Sequence, residues 1–247
     1  MTKINANKLV NSPVLITSAI NVAAAKTVLT DATARLELTL NSIQQWRATQ
    51  GVSHVIVCDG SGFDLGPYIN NMSINQAGVG CEVISFINDV AGVEAKGKGY
   101  GEGEIVNYAL QHSQVLKDAS HFAKCTGKLW VENFADCLNG FNGIAAFDFH
   151  GNFKPEQIDT RFYVVSKDFF VSHMAALHHC VNDSNGFYLE HAFRDGLQAH
   201  KLSDYVMYPT PRISGVSGSM GVLFEPSRIK AALRDIRSLL IKLTRMA

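Results

Sequence analysis

At 247 residues with 47% hydrophobic composition, the chain is long enough to bury a substantial core and sits near the upper end of single-domain size, about 250 residues. Lys and Arg together number 22, as do Asp and Glu, so no global basic field favours nucleic acid and any phosphate binding has to be local. Five cysteines (Cys58, Cys81, Cys125, Cys137, Cys180) are scattered without a C-x-x-C pair, and the odd count points to a reducing, cytoplasmic setting rather than a disulfide framework.

The first ten residues lack the apolar core of a signal peptide, and nowhere do ~20 apolar residues run together as a spanning helix requires. The protein is expected neither to be secreted by that route nor to cross a membrane. Residues 14–20 form a nearly continuous apolar run, the pattern of a strand buried on both faces, and the run ends on Thr17, Ser18 and Asn21. Thr30 or Asp31 can cap a following helix over residues 34–46, which ends before Gly51. Residues 54–60 read as a second buried strand ending in Asp59. A β-α-β opening of this kind brings Thr17, Ser18 and Asp59 to the carboxyl edge of a parallel sheet, where open α/β folds bind ligands. The acid could accept hydrogen bonds from a ribose or a base there, or simply form the Asp-Gly-Ser-Gly turn.

Residues 67–76 read as a short helix or irregular link, and residues 81–87 as a third strand. Next come Gly97, Gly99, Gly101 and Gly103 at alternate positions, then a helix over residues 105–116. Glycine lets the main chain approach a ligand closely, and the helix N-terminus carries partial positive charge. The run therefore reads either as a phosphate- or sugar-holding loop, with Lys96 and Lys98 adding charge, or as a mobile surface loop. Two familiar motifs fail: residues 92–99 spell a P-loop except that Gly99 stands where the magnesium-holding Ser or Thr belongs, and no G-x-G-x-x-G spacing is present.

Beyond residue 120 apolar and polar residues alternate over 122–131, 143–149 and 161–165, predicting strands. Helices are expected over 169–180 and 188–200, and a strand over 205–208. The last helix, residues 228–246, is amphipathic: Ile229, Ala232, Leu233, Ile236, Leu240 and Leu243 share a stripe, while basic residues outnumber the single acid Asp235. No linker, repeat or low-complexity tract divides the chain, so one α/β domain is expected.

Taken together, Thr17-Ser-Ala with Arg35, the strand ending in Asp59, the glycine run 97–103, Phe122-Ala-Lys-Cys-Thr-Gly-Lys128, Leu189-Glu-His and Ser214-Gly-Val-Ser-Gly-Ser219 resemble bacterial glycosyltransferases of the GT-A-like type, from O-antigen and capsule gene clusters. The resemblance implies a GT-A-like (Rossmann-like) central mixed sheet flanked by helices. It further implies a nucleotide-sugar-binding half over about 14–118, an acceptor-side half over about 119–221, and the basic amphipathic helix 228–246. Carried over residue by residue, Thr17, Ser18, Arg35 and Asp59 would stand near the nucleotide, and Lys98, Gly99, Gly101, Lys124, Thr126 and Lys128 near the diphosphate or sugar. Glu190 falls at the acceptor-side acid and is the expected general base, with Asp159 and Asp195 as weaker rivals. The capping reading of Glu190, a carboxylate in the first turn of a helix, competes.

Many such enzymes hold a divalent metal on an Asp-x-Asp motif, whereas this chain carries lysines in Lys124-Cys-Thr-Gly-Lys128, which could neutralise a leaving diphosphate directly. No cofactor and no metal ligand is expected, and Asp148 reads as a polar residue at a strand end. The expected partners are a nucleotide-sugar donor and a glycan or lipid-linked acceptor, with no nucleic acid. The last helix is expected to rest on the inner face of the cytoplasmic membrane, or else on its own domain or a second subunit. His173, His178, His179 and Cys180 lack the spacing of a structural metal site, and Ser217 and Ser219 do not spell a nucleophile elbow. Two rival functions stand beside a glycosyltransferase: a kinase or nucleotidyltransferase using the glycine run, and a non-catalytic sugar- or nucleotide-binding module.

Overall fold

A computed structural model describes residues 11–22, 27–72, 79–151, 157–218 and 221–244. Ser219, residues 73–76 and residues 245–246 therefore lie outside the described residues. The chain opens with β1 (Ser12–Ser18), α1 (Ala32–Ala48), β2 (Val52–Asp59), α2 (Gly66–Asn71) and β3 (Cys81–Ser85). Asp31 is the residue that caps α1, its carboxylate accepting from the Ala34 N–H at 2.6 Å. Next come α3 (Val90–Lys96), α4 (Lys98–His112), α5 (Gln114–Asp118), β4 (His121–Thr126), β5 (Leu129–Val131), α6 (Phe134–Asn139), β6 (Ala145–His150) and β7 (Gln157–Ser166). The remainder is α7 (Lys167–His173), α8 (Leu189–Gly196), β8 (Ile213–Val216), β9 (Leu223–Phe224) and α9 (Arg228–Thr244).

The described strands build a six-stranded sheet in the order β3-β2-β1-β4-β7-β6 and a small sheet in the order β5-β8-β9. β1 to β4 run parallel, while β7 and β6 are antiparallel to their neighbours, so the central sheet is mixed. Strands from both halves of the sequence share it. Apolar residues on both faces of the strands explain the continuous hydrophobic runs: one core layer packs α4, α7 and α8 against the sheet, and the opposite layer packs α1 and α6. The register pairs Thr17 with Cys58 on one side and with Thr126 on the other, bringing the carboxyl ends of β1, β2 and β4 to one edge.

The glycine run is not a loop. Gly99, Gly101 and Gly103 lie inside α4, and the near-P-loop Gly92–Gly97 lies in α3 and its end, so neither can wrap a phosphate. Only Gly97, between the two helices, takes a left-handed φ (107°). The helical glycines serve close packing. A Cβ at Gly99 would stand 3.0 Å from the Leu189 Cβ, one at Gly101 2.7 Å from the Asn88 side-chain nitrogen, and one at Gly103 would overlap the Cβ of His178. The α4 N-terminus is also committed, because the Asp183 carboxylate accepts from the Lys98 N–H at 3.0 Å.

Alanine favours a helix interior over glycine by about 1 kcal/mol. Gly103→Ala is nevertheless expected to destabilise the fold by about 1–3 kcal/mol, since the added methyl meets a fixed Cβ and not a movable side-chain tip. An unchanged urea midpoint would show that α4 does not approach the His178 segment this closely.

Other departures are local. The helix expected over 169–180 stops at His173, and Leu177–Cys180 forms a 3-10 turn in which the buried His178 ring bonds the Ala175 carbonyl at 2.8 Å. Burial and the neighbouring His179 push the His178 pKa down to about 4, which suits a neutral core histidine. No cluster of metal-ligating side chains occurs among the described residues. The strand expected over 205–208 is instead a 3-10 turn, Leu202–Tyr205, followed by a single bridge from Val206 to Phe147.

Candidate functional site

A cavity of about 430 Å³ opens where β1 and β4 end and β7 begins. Of the residues singled out in the sequence, Thr17, Ser18, Arg35, Lys98, Gly101, Thr126, Lys128 and Glu190 line it. Asp59, Gly99, Lys124 and Asp159 do not.

The four excluded residues each have a structural task. Asp59 is fully buried, and its carboxylate accepts from the Ile20 N–H at 3.0 Å, the Ser61 N–H at 2.8 Å and the Ser61 hydroxyl at 2.5 Å. It ties the segment after β1 to the turn after β2 and has no face toward a ribose. Gly99 is used up against Leu189.

Lys124 is also fully buried. Its ammonium donates to Glu102, to the Thr126 hydroxyl at 2.9 Å and to the Thr160 carbonyl at 2.7 Å, which satisfies all three donors. It cannot meet a leaving diphosphate. Instead it fixes Glu102, a carboxylate on the cavity wall that the sequence reading passed over because it lay inside the glycine run.

Asp159 is corrected from candidate base to anchor. It is buried, and it accepts from Arg161 Nε at 2.9 Å and 3.1 Å, from Nη2, and from the Arg161 backbone N–H at 3.0 Å. Burial pushes its carboxyl pKa up, but the Arg161 hydrogen bonds and charge, with His150 alongside, outweigh this and hold it below the usual range. An acid so held is a poor base. What it provides is a rigid Arg161, stacked on the Phe224 ring at 4.8 Å and forming part of the cavity wall. The i, i+2 spacing on a strand, which puts Asp159 and Arg161 on one face, was the signal available for this pair.

Among the described residues of the wall, Arg35, Lys98, Lys128 and Arg161 stand against Glu102 and Glu190; Glu102 is paired with Lys124 and Arg161 with Asp159, which leaves three cations against one acid. In a chain with no net charge, this cavity concentrates positive charge. Arg35 and Lys128 converge. A Cβ at Gly218 would stand 3.2 Å from Arg35 Nη1 and 3.5 Å from Lys128 Nζ, so both cationic heads meet beside this glycine at the cavity wall.

Arg35 is held by the Ala19 carbonyl, which accepts from Nε at 2.8 Å and from Nη2 at 2.5 Å, and by the Leu29 carbonyl, which accepts from Nη1 at 2.9 Å. Burial lowers its pKa, with Asp59 opposing. Lys128 makes the β4–β5 turn at φ 73°, a strained conformation for a non-glycine residue costing about 1–3 kcal/mol. Burial first and Arg35 second push its pKa down to about 7, while Asp59 pulls it up. The Thr17 and Ser18 hydroxyls, also in the wall, are buried and have no hydrogen-bond partner among the described residues. Such groups cost about 1–3 kcal/mol each unless a ligand or water satisfies them.

Glu190, also in the wall, stands in the first turn of α8, accepting from the Thr160 hydroxyl at 2.9 Å. Its pKa is raised, by burial first and by the nearby Glu102 and Asp159 charges, against its own helix-end N–H and the Thr160 bond. Asp195, the other rival acid, is paired with Arg194. Asp148, the remaining Asp-x-Asp-like candidate, is buried under α9 and paired with Arg234 and Arg237.

No protein-family model and no curated protein matches the sequence. Solved structures with a similar chain path include core-mannan synthase A from Aspergillus fumigatus in its Mn/GDP form, 11% identical over 90% of this chain and 82% of that one, with a TM-score of 0.48. The inositol-1-phosphate CTP transferase from T. maritima is 11% identical over 92% and 96%, with a TM-score of 0.46. The 4-diphosphocytidyl-2C-methyl-D-erythritol synthase from Anaerococcus prevotii DSM 20548 is 8% identical over 93% and 98%, with a TM-score of 0.45.

Proposed function

We propose that this chain is a glycosyltransferase that takes a nucleoside diphosphate-sugar into the cavity at the β1–β4 edge and transfers the sugar to an acceptor hydroxyl. The observation that carries the reading is the convergence of Arg35 and Lys128 on Gly218, beside two buried hydroxyls without partners, in a cavity that gathers cations in a chain of zero net charge. A diphosphate supplies the anion and the acceptor oxygens such a wall lacks. Residues 14–118 would bind most of the donor, Lys128 and Gly218 of the second half would close on its diphosphate, and the rest of residues 119–221 would face the acceptor.

In the proposed reaction the acceptor oxygen bonds to the anomeric carbon as the carbon–oxygen bond to the diphosphate breaks. The diphosphate departs with the electron pair toward Arg35 and Lys128, and the acceptor proton passes to Glu190. The configuration is inverted. The end of β4 presents Thr126 and the turn after it Lys128, neither of them a carboxylate, and Glu102 is held by Lys124, so the cationic side chains take the charge-neutralising task in this proposal. The acceptor class in keeping with the family resemblance is a surface polysaccharide or lipid-linked glycan of the O-antigen or capsule kind, assembled in the cytoplasm.

The test is a panel of nucleoside diphosphate-sugars and of nucleoside triphosphates with sugar phosphates, each with and without a chelator. Release of nucleoside diphosphate from one of the sugars, undiminished by chelation, is the expected result. Release of pyrophosphate from a triphosphate would make the protein a nucleotidyltransferase. Binding with neither release, across a panel of glycan and lipid-linked acceptors, would make it a binding module.

A further inference from the structure

The last helix shows an arrangement opposite to that of an ordinary amphipathic helix. Its polar and basic side turns inward: Arg234 and Arg237 pair with Asp148, Arg237 also donates to the Gly151 carbonyl at 2.7 Å, and Asp235 pairs with Arg212 and accepts from the Thr210 N–H at 2.8 Å. Ala231, Ser238 and Ile241 are buried beneath it. The apolar stripe faces out, with Ile229 at 75%, Leu233 at 63%, Ile236 at 56% and Leu243 at 71% exposure, and Leu240 in line with them at 42%.

The stripe steps by four, three, four and three residues, a period of 3.5. Over two heptads this spacing suits the seam of two paired helices, widened on one side by Ala232 and Leu239. Assigned as a heptad, Leu233 and Leu240 are a positions and Ile229, Ile236 and Leu243 are d positions. Ala231 and Ser238 then fall at f, the point farthest from the seam, and these are residues that dock the helix on its own domain. The helix is anchored by its back and offers its seam.

We infer that α9 is the interface of a homodimer, pairing with α9 of a second copy about a two-fold axis. Area supports this choice of occupant. At the exposures above, with Leu239 at 37% beside them, the stripe presents on the order of 500 Å² of apolar surface, at the upper end of what monomers expose. An isologous pair buries about twice that. The total, roughly 1,000 Å², reaches the minimum size of a biological interface before the stem of Lys230 is counted. Charge leaves the direction open: Arg228 and Lys230 are both exposed at the start of the helix and Lys242 stands in its last turn, so a parallel pair gathers four cations at one end and an antiparallel pair three at each. A membrane surface would be met only by Arg228, Lys230 and Lys242, because Arg234 and Arg237 are spent on Asp148.

Sedimentation velocity over a range of micromolar concentrations tests the inference on the full chain, comparing wild type with Leu233→Lys/Ile236→Lys. Both positions are exposed, so the variant is expected to keep the wild-type circular dichroism spectrum and the same affinity for any nucleotide that wild type binds. Wild type should sediment as a dimer and the variant as a monomer. A wild type that stays monomeric throughout, or a variant that stays dimeric, overturns the inference. So does a monomeric wild type that floats with vesicles containing anionic lipid while the variant does not, which would assign the stripe to a membrane.

Discussion

Glu190→Gln is expected to lower kcat by about 10²–10⁴-fold while nucleoside diphosphate-sugar affinity stays within a factor of about two, because general base catalysis is worth that much and Glu190 bonds the Thr160 hydroxyl rather than Arg35 or Lys128, the proposed diphosphate ligands. The amide keeps the size of the side chain and can still accept from the Thr160 hydroxyl, so what disappears is the proton acceptor and little else. The wild-type pH profile carries an independent signature. Burial and the Glu102 charge raise the Glu190 pKa, so the acid limb of kcat should lie above the ordinary carboxylate range, with rate rising as pH climbs through it and Glu190 loses its proton. Glu102→Gln then becomes informative: removing the nearby negative charge should shift the acid limb to lower pH and leave a working base. If instead Glu190→Gln retains near-normal kcat at every pH and Glu102→Gln abolishes turnover, the base is Glu102 and the roles are exchanged.

How far the site was legible in the sequence depended on whether a residue's meaning was local. The runs at residues 14–20 and 54–60 are apolar on both faces, so the buried strands and the edge carrying Thr17 and Ser18 could be read directly, as could the Asp31 cap. The glycine run misled because alternation of glycine with polar residues reads as a loop on propensity, whereas here Leu189, Asn88 and His178 come from distant segments and demand a helix without side chains. No pattern within residues 97–103 announces those neighbours. Lys124 failed for a related reason: a lysine between buried strand positions looks like a ligand until its partners Glu102 and Thr160, 22 and 36 residues away, are seen to satisfy it. Lys128, four residues on, lines the cavity because the turn after β4 swings it to the sheet edge. The stripe on α9 was legible as a stripe, but its outward direction was not, since that is decided by Asp148, Asp235 and Arg212 competing for the opposite face.

Lys128→Ala is expected to weaken binding of a nucleoside diphosphate-sugar by an order of magnitude or more, and binding by wild type should depend on pH in a defined sense. With its pKa pushed down to about 7 by burial and by Arg35, Lys128 is only partly charged near neutrality in the unliganded protein. A bound diphosphate favours the charged form, so binding takes up a proton and raises the lysine pKa. Affinity should therefore be greatest below pH 7 and fall as pH rises above it, by up to about tenfold per pH unit until the bound-state pKa is passed. A nucleoside diphosphate-sugar is the ligand to use, because its esterified phosphates hold their charge over this range and leave the lysine as the titrating group.

Calorimetry in buffers of different ionisation enthalpy measures the proton uptake directly. In Lys128→Ala both the uptake and the pH slope should vanish. The unliganded protein supplies a check of opposite sign: a lysine depressed in the fold binds fewer protons than the same lysine unfolded at its ordinary 10.5, so wild-type stability should rise as pH climbs from about 7 toward 10, and the rise should be smaller in the variant. Wild-type affinity that is flat with pH and unchanged in Lys128→Ala would remove this residue from the anion site and leave Arg35 and Arg161 as the cations to test.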